Sequence, residues 1–394
     1  MSPIYWGAVV ALIICIIWAC PLTAAILAAT LAATLAATLA ATLAARPRHA
    51  LGGGEVSPVL ADEYHTWLIS REIMAIGCQE GVGKRCRVIL EGWIMNNLEP
   101  DSIVPPLGVL RGPLAALASL RRSYTGKLDP ALADAIVAGI RAAPAALRAP
   151  APAQIEGSVE SAISYGEFVL RPTERIRLMV RLGGPEAMLR AHLRYAALMA
   201  GAHQWSVPAA VFDVMYAEGV RNEAFASPLN AKLMGRPGAR FFSLFPDTDA
   251  PFGSRGDLFK TPFDELQGLA GGWEVNPPFL RDHMVRAARL AARLAARRDV
   301  VFITRQHDPA NSDAESPYGV FEAAAKASRV LTDIAYAAES PFGTELRRPA
   351  FVTHLLYAGP RSAADAERLL DALTAAWPAP PADRRLKQFK YKEL

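Results

Sequence analysis

Gly271-Gly-Trp-Glu-Val-Asn-Pro-Pro-Phe279 is a short, mostly apolar run that stops abruptly in an amide, two prolines and an aromatic ring. The run predicts a strand over 272–275 followed by a stiff loop. The prolines hold φ near about −65° and carry no N–H, so nothing local competes for the loop's acceptors. The Asn276 side-chain oxygen and the Pro277 carbonyl could accept both hydrogens of an exocyclic amine, and Phe279 offers a flat face for a flipped-out base. Such a pair suits methyl transfer to the N6 amine of adenine, because accepting the hydrogens restores a lone pair otherwise delocalised into the ring. Asn276, Pro277, Pro278 and Phe279 are therefore the candidate catalytic residues.

The same grammar, an apolar run ending in polar or glycine-rich residues, recurs on both sides of this stretch. Strands are expected near 224–226, 241–245, 258–259, 300–304, 330–336 and 351–357, with helices over 284–298 and 363–375. Seven strands alternating with helices predict an α/β doubly wound sheet. Ligands of such sheets lie beyond the carboxyl ends of the strands, so the residues after each run are the informative ones. After the first run stands Ser227-Pro228-Leu229-Asn230, and after the second Pro246-Asp247-Thr248-Asp249 and Phe252-Gly253-Ser254-Arg255-Gly256. An acid at the second position can accept both ribose hydroxyls of a nucleoside cofactor. Asp247 is the first candidate and Asp249 the alternate, with turn capping the plain reading of both. Ser227, Pro228, Asn230, Phe252, Gly253 and Ser254 complete the expected cofactor site. After the fifth run, Arg305, Gln306 and His307 are candidate substrate contacts. No base is required of His307, since an N-methylated adenine cation gives up its proton to water readily.

Arg175, Arg177, Arg181, Arg190 and Arg194 interleave with Leu and Met over 175–200. They form either a basic groove for RNA, with Arg175 and Arg177 as its contacts, or a solvated helix face whose arginine stems cover apolar surface. The net charge, 42 basic against 38 acidic residues, is only +4, so nucleic-acid affinity has to come from such local patches. The four cysteines and the histidines show no metal-ligand spacing, and no metal is expected.

From Ser2 to Ala45 no side chain is charged, and Leu-Ala-Ala-Thr repeats from Leu27 to Thr42. Each repeat advances about 40° around a helix, so the leucines mark no fixed face. An N-terminal apolar helix anchoring the chain in a membrane is expected. Arg46, Arg48 and His49 follow it, so the remainder should face the cytoplasm. A cleaved signal peptide, a repeat expansion without a role, or a soluble cytoplasmic or nuclear chain are the alternatives. The expected organisation is 1–50 apolar segment, 55–215 helical domain, 216–380 catalytic domain and 381–394 basic tail.

The ordered motifs Phe225-Ala-Ser-Pro-Leu-Asn230, Phe245-Pro-Asp-Thr-Asp249, Phe252-Gly-Ser-Arg-Gly256 and Asn276-Pro-Pro-Phe279 resemble the phosphorylated-CTD-interacting factor family from about Arg175 to Gly359. The resemblance implies a Rossmann-like class I methyltransferase sheet of seven strands preceded by a helical domain. It further implies S-adenosyl-L-methionine as methyl donor and N6-methylation of an adenosine next to an mRNA cap, with the helical domain holding the RNA 5′ end. The chain departs from the family pattern at Arg281, where an acid would stand, and at Thr304-Arg305-Gln306. These departures keep internal RNA or DNA adenine as an alternative substrate, and a membrane-tethered RNA-binding protein without catalysis as the alternative class. Arg281 joins the substrate candidates. Trp67 and Trp93 lack the neighbours of a WW module, so no WW-mediated polymerase binding is expected.

Overall fold

The computed structural model describes residues 56–79, 138, 151–197, 204–279, 281–305, 317–340, 343–349 and 351–381. Residues 53–394 group into one compact unit and 1–52 into another. The apolar N-terminal segment, the helix expected over 129–147 apart from residue 138, Trp93, Gln306 and His307 all lie outside the described residues. Among the described residues no helix is long and apolar enough to cross a membrane.

The described chain begins with helix α1 (Pro58–Gln79) and a three-stranded antiparallel sheet, β1 (Glu156–Gly157), β2 (Ile163–Tyr165) and β3 (Phe168–Leu170). Tyr165 and Phe168 pack edge-on against Tyr64 and Trp67 of α1. Helix α2 (Glu174–Ala197) packs along α1 and is broken at Gly184, where φ +80 and ψ 170 precede Pro185. Neither residue sustains a helix interior, and the break turns the basic stretch 175–194 into two separate segments.

Strand β4 (Trp205–Ser206) leads into α3 (Ala209–Ala217), β5 (Val220–Glu223) and β6 (Arg240–Phe241). After the short α4 (Pro246–Asp249) and α5 (Phe263–Gly268) come β7 (Gly272–Val275), α6 (Arg281–Ala295), β8 (Val300–Arg305), α7 (Pro317–Glu322) and β9 (Ala327–Leu331). The chain then forms a hairpin, β10 (Tyr336–Ser340) and β11 (Gly343–Arg347), followed by β12 (Thr353–Ala358) and α8 (Ala363–Ala376). Strand β4 pairs with β10, so these three form a side sheet.

The main sheet has six strands in the order β6-β5-β7-β8-β12-β9. The first four are parallel, and β12 runs antiparallel to both neighbours. The sheet is α/β as expected, with corrections in detail. The first strand is 220–223, not 224–226, and the second is confined to 240–241. The run expected as one strand over 330–336 divides into β9 and β10. Leu258-Phe259 sits in a turn: the Phe259 N–H bonds to Asp257 Oδ1 at 2.9 Å and the pair packs inward without a ladder. The edge a seventh strand would occupy is taken by the Gly253–Gly256 segment. It bridges β6 once, Phe241 to Ser254, and exchanges the Arg255 N–H to Phe241 O and Ser243 N–H to Gly256 O bonds, both 2.9 Å.

Both faces of the sheet are covered. One core joins α3 and α8 to Val301, Ile303, Leu355 and Tyr357, and the other joins α5, α6 and α7 to Trp273, Val275, Phe302 and Leu356. Helix α8 shows why: Ser362 caps it by accepting the Asp365 N–H at 3.1 Å, and Ala366, Leu369, Leu370 and Leu373 recur at helical spacing on its buried side. Helix α6 buries Met284, Ala287, Ala288, Ala291 and Leu294. Its outward arginines fold over rings, Arg286 at 4.0 Å from the Phe259 centroid and Arg293 at 3.7 Å from that of Phe263.

Candidate active site

Strand β5 continues to β6 on one side, whereas β7 lies on its other side. The chain order therefore reverses between β5 and β7, at the point where open α/β sheets hold their ligands. Glu223 and Glu274, the former closing β5 and the latter one short of the end of β7, are register partners. The loops that follow them, 224–230 and 276–279, flank the crevice. The residues after β6 approach from the far side of β5.

The first loop is built by its own side chains. Asn230 Oδ1 accepts the Ser227 N–H at 2.7 Å, Ser227 Oγ donates to Gln204 Oε1 at 2.7 Å, and the Leu229 N–H returns to Ser227 Oγ at 3.2 Å. Ser227, Pro228 and Asn230 are buried, so they shape the loop from within. Glu223 secures its far end by accepting the Lys232 and Leu233 N–H groups at 3.1 and 2.9 Å.

Asp247 opens α4 and accepts from Arg194 Nη1 and Nη2 at 3.2 and 2.8 Å, with Arg190 at 3.6 Å. Arg194 is wholly buried and also donates from Nε to both carboxylate oxygens of buried Glu63, at 2.8 and 3.0 Å. Burial disfavours the guanidinium charge, but Glu63 and Asp247 more than offset it and hold Arg194 ionised. Asp249 is enclosed, accepting the Tyr195 hydroxyl at 2.6 Å and the Thr248 hydroxyl at 3.0 Å, and burial pushes its carboxyl up to about 6. Of the two acids, Asp247 keeps 38% of its side chain exposed and is the one that can meet a ligand. Phe252 is buried against Gly183, where a Cβ would come within 2.8 Å of its ring. Gly253 turns at φ +91, a conformation that favours glycine, and Ser254 Oγ lies 2.6 Å from Ser243 Oγ.

At the end of β7, Asn276, Pro278 and Phe279 are half-buried and Pro277 is buried. Phe279 meets Phe351 edge-to-face, with centroids 4.9 Å apart and planes at 89°, and Phe351 leans on Tyr336 in turn. These contacts fix the plane of the Phe279 ring. Arg305 ends β8 exposed, and Arg281 begins α6. Arg175 and Arg177 part ways: Arg175 is drawn in to the Ala231 carbonyl at 2.7 Å, while Arg177 pairs on the surface with Glu174 at 2.6 Å. Neither shares the crevice with Arg305.

Residues that sequence reasoning passed over complete the arrangement. Glu274 is fully buried, and one of its carboxyl oxygens has no hydrogen-bond partner. Burial first, and then the charge of Glu223, raise its pKa well above the ordinary carboxylate value. Glu223 itself is pushed up to about 7 by burial, restrained by the two backbone N–H groups and by Lys232 and Arg175. Glu274 is therefore the neutral member of the pair and Glu223 the one that ionises. An acid inside an otherwise apolar strand was the available signal. Among the described residues no group of His, Cys, Asp or Glu could hold a metal ion.

Residues 186–318, about a third of the chain, match the family described as phosphorylated CTD interacting factor 1 WW domain. That description stands against the expectation drawn from Trp67 and Trp93; the matched stretch here contains α3 to α6 and the strands β4 to β8. A human and a mouse protein, each named "mRNA (2'-O-methyladenosine-N(6)-)-methyltransferase", are each 42% identical to this chain over 82 residues. Those residues are 21% of this chain and 10% of each relative, so the match spans about a tenth of the relatives' own length. The motifs after β5, β6 and β7 lie inside 186–318, and over that stretch the chain is related to the phosphorylated-CTD-interacting factor family.

Proposed function

We propose that this chain is an S-adenosyl-L-methionine-dependent RNA adenosine N6-methyltransferase directed at the cap-adjacent adenosine. The observation that carries the reading is the position of Asn276-Pro-Pro-Phe279, at the carboxyl end of β7 and across the switch point from the Ser227–Asn230 loop. The names of the human and mouse relatives support the same chemistry. The strand order, four parallel strands and an antiparallel strand inserted before the last, suits a class I methyltransferase sheet lacking one edge strand.

The residues present fit a nucleoside donor. Asp247 is partly exposed and braced by two arginines, which suits ribose hydroxyls, and the Gly253 turn brings the chain close beside it. When bound, the donor supplies a methyl group on a sulfonium centre. Asn276 Oδ1 and the Pro277 carbonyl accept the two amine hydrogens, and Phe279 stacks on the base. Rate enhancement then comes from positioning and fixed dipoles. Arg281, Arg305, Gln306 and His307 stand in the segments leaving β7 and β8, where a nucleotide chain would pass. Arg281 replaces the acid of the family pattern, and this favours internal RNA or DNA adenine as the second reading. The uncharged N-terminal segment followed by Arg46 and Arg48 supports a membrane tether with the catalytic unit in the cytoplasm.

The test offers labelled donor with capped RNA beginning in adenosine, uncapped RNA and single-stranded DNA, and identifies the product nucleoside. N6-methylated adenosine is expected from the capped RNA. Asn276→Ala should bind donor normally while turnover falls by about 10²- to 10³-fold; unchanged turnover would refute the assignment.

A further inference from the structure

Helix α2, the loop after β5 and the β10–β11 hairpin enclose a cavity of about 100 Å³ whose walls include Thr173, Arg175, His192, Leu229 and Glu339. One water needs about 10 to 15 Å³ of such space, so a small organic group fits. His192 is 4% exposed, and neither ring nitrogen has a hydrogen-bond partner. A buried polar group left so is rare and calls for an explanation. Burial, and then the nearby Arg175, lower its pKa to about 4, so the imidazole is neutral and offers one donor and one acceptor.

Arg175 spends one amino group on the Ala231 carbonyl at 2.7 Å, leaving its other donors uncommitted. Glu339 holds the opposite charge: its side chain is 7% exposed, it pairs with Lys232, and it accepts the Thr344 hydroxyl at 2.6 Å. The one small space thus combines a cation, an anion, an unused imidazole and the apolar side chain of Leu229. An inorganic anion would meet Glu339, and a purely apolar ligand would strand both charges without water. A zwitterion answers both. Leu229 belongs to the loop that leaves β5, so the cavity borders the switch point where a nucleoside ligand lies.

We propose that this cavity receives the α-amino-acid head of the methyl donor, its carboxylate on Arg175 and His192, its ammonium on Glu339 and its methylene arm along Leu229. The assignment rests on the donor reading above and extends it to a subsite on α2 and β10.

Calorimetric titration of the full chain with S-adenosylhomocysteine and with 5′-methylthioadenosine tests it, because the second ligand keeps the nucleoside thioether and lacks the head. His192→Leu removes both nitrogens at similar volume and breaks no ion pair. It should weaken S-adenosylhomocysteine about tenfold, the loss of roughly one hydrogen bond to a charged group, and leave 5′-methylthioadenosine within about twofold. Glu339→Gln should discriminate in the same sense, and it decides the matter if the His192 variant fails to fold. Equal losses for both ligands, or no loss for either, would overturn the subsite and leave the donor reading standing. A wild-type chain that binds neither ligand removes the donor reading and the subsite together.

Discussion

The two halves of the main sheet are built on opposite principles. In the parallel half, β6, β5 and β7 have two to four residues each and bury Asn222, Glu223 and Glu274. In the antiparallel half, β8 and β12 have six residues each, and Val300 to Ile303 and Leu355 to Ala358 are almost wholly inaccessible. Buried carboxyls cost free energy, whereas each buried aliphatic or aromatic side chain contributes about 1.5 to 3 kcal/mol. The long apolar strands therefore sustain the sheet while the short ones position polar groups at the crevice. If this division is right, damage to one half should lower stability and leave ligand affinity intact, and damage to the other should lower both.

The largest loss is expected at Arg194. Arg194→Met leaves Glu63 buried without a counter-charge and frees Asp247, so unfolding in urea should show a loss of about 3 to 5 kcal/mol. Donor affinity of the remaining folded protein should fall too, because Asp247 loses its brace. A loss below about 1 kcal/mol would mean the network is not a strut. On the other side, Leu356→Ala opens a cavity between β12 and the α6 layer and should cost about 2 to 5 kcal/mol. Its donor affinity below the unfolding transition should match wild type; a drop comparable to that of Arg194→Met would end the distinction between the halves.

The same contrast explains what the sequence disclosed. The antiparallel half and its helices were legible because burial writes itself as hydropathy: 300–304, 284–298 and 363–375 all fall on real elements. Strand β5 was displaced because Val220-Arg221-Asn222-Glu223 is polar. It is a strand through its ladders and through Asn222, whose Nδ2 donates to the Ala270 and Gly272 carbonyls at 3.0 and 3.1 Å. Hydropathy also carries no direction, so the reversal of β12 was invisible. The loops after β5, β6 and β7 were readable, since polar residues after apolar runs mark strand ends. Their braces were not: Glu63 lies 131 residues from Arg194, and Arg194 lies 53 from Asp247, separations no local pattern reports. Phe351 is equally remote from Phe279.

Where the halves meet, Phe279 of the parallel side leans on Phe351 next to β12. Phe279→Ala should weaken base stacking by about 1 to 3 kcal/mol, read as a raised KM for RNA with donor affinity unchanged. Phe351→Ala should produce a smaller rise of the same kind, because it removes only the contact that orients the ring. Equal KM values in wild type and Phe279→Ala would dismiss the stacking role.

The smallest effect concerns the acid pair and appears only with pH. Glu274 and Glu223 both have folded pKa values raised by burial, Glu223 to about 7, and Glu63 and Asp249 are likewise raised, to about 7 and about 6. A carboxyl raised in the folded state holds a proton that the unfolded chain has released. Its contribution is complete below the unfolded value near 4.5 and is lost as pH rises through the folded value. His192, lowered to about 4, works the other way, but only below about 6.5. Stability should therefore decline from pH 6 to pH 8.5. Glu274→Gln keeps the shape of the neutral acid and removes its charge, so Glu223 ionises unopposed and the decline should shrink by about 1 kcal/mol. Urea unfolding of both proteins at pH 6 and 8.5 measures the difference, and identical declines would show that the two carboxyls do not sense one another.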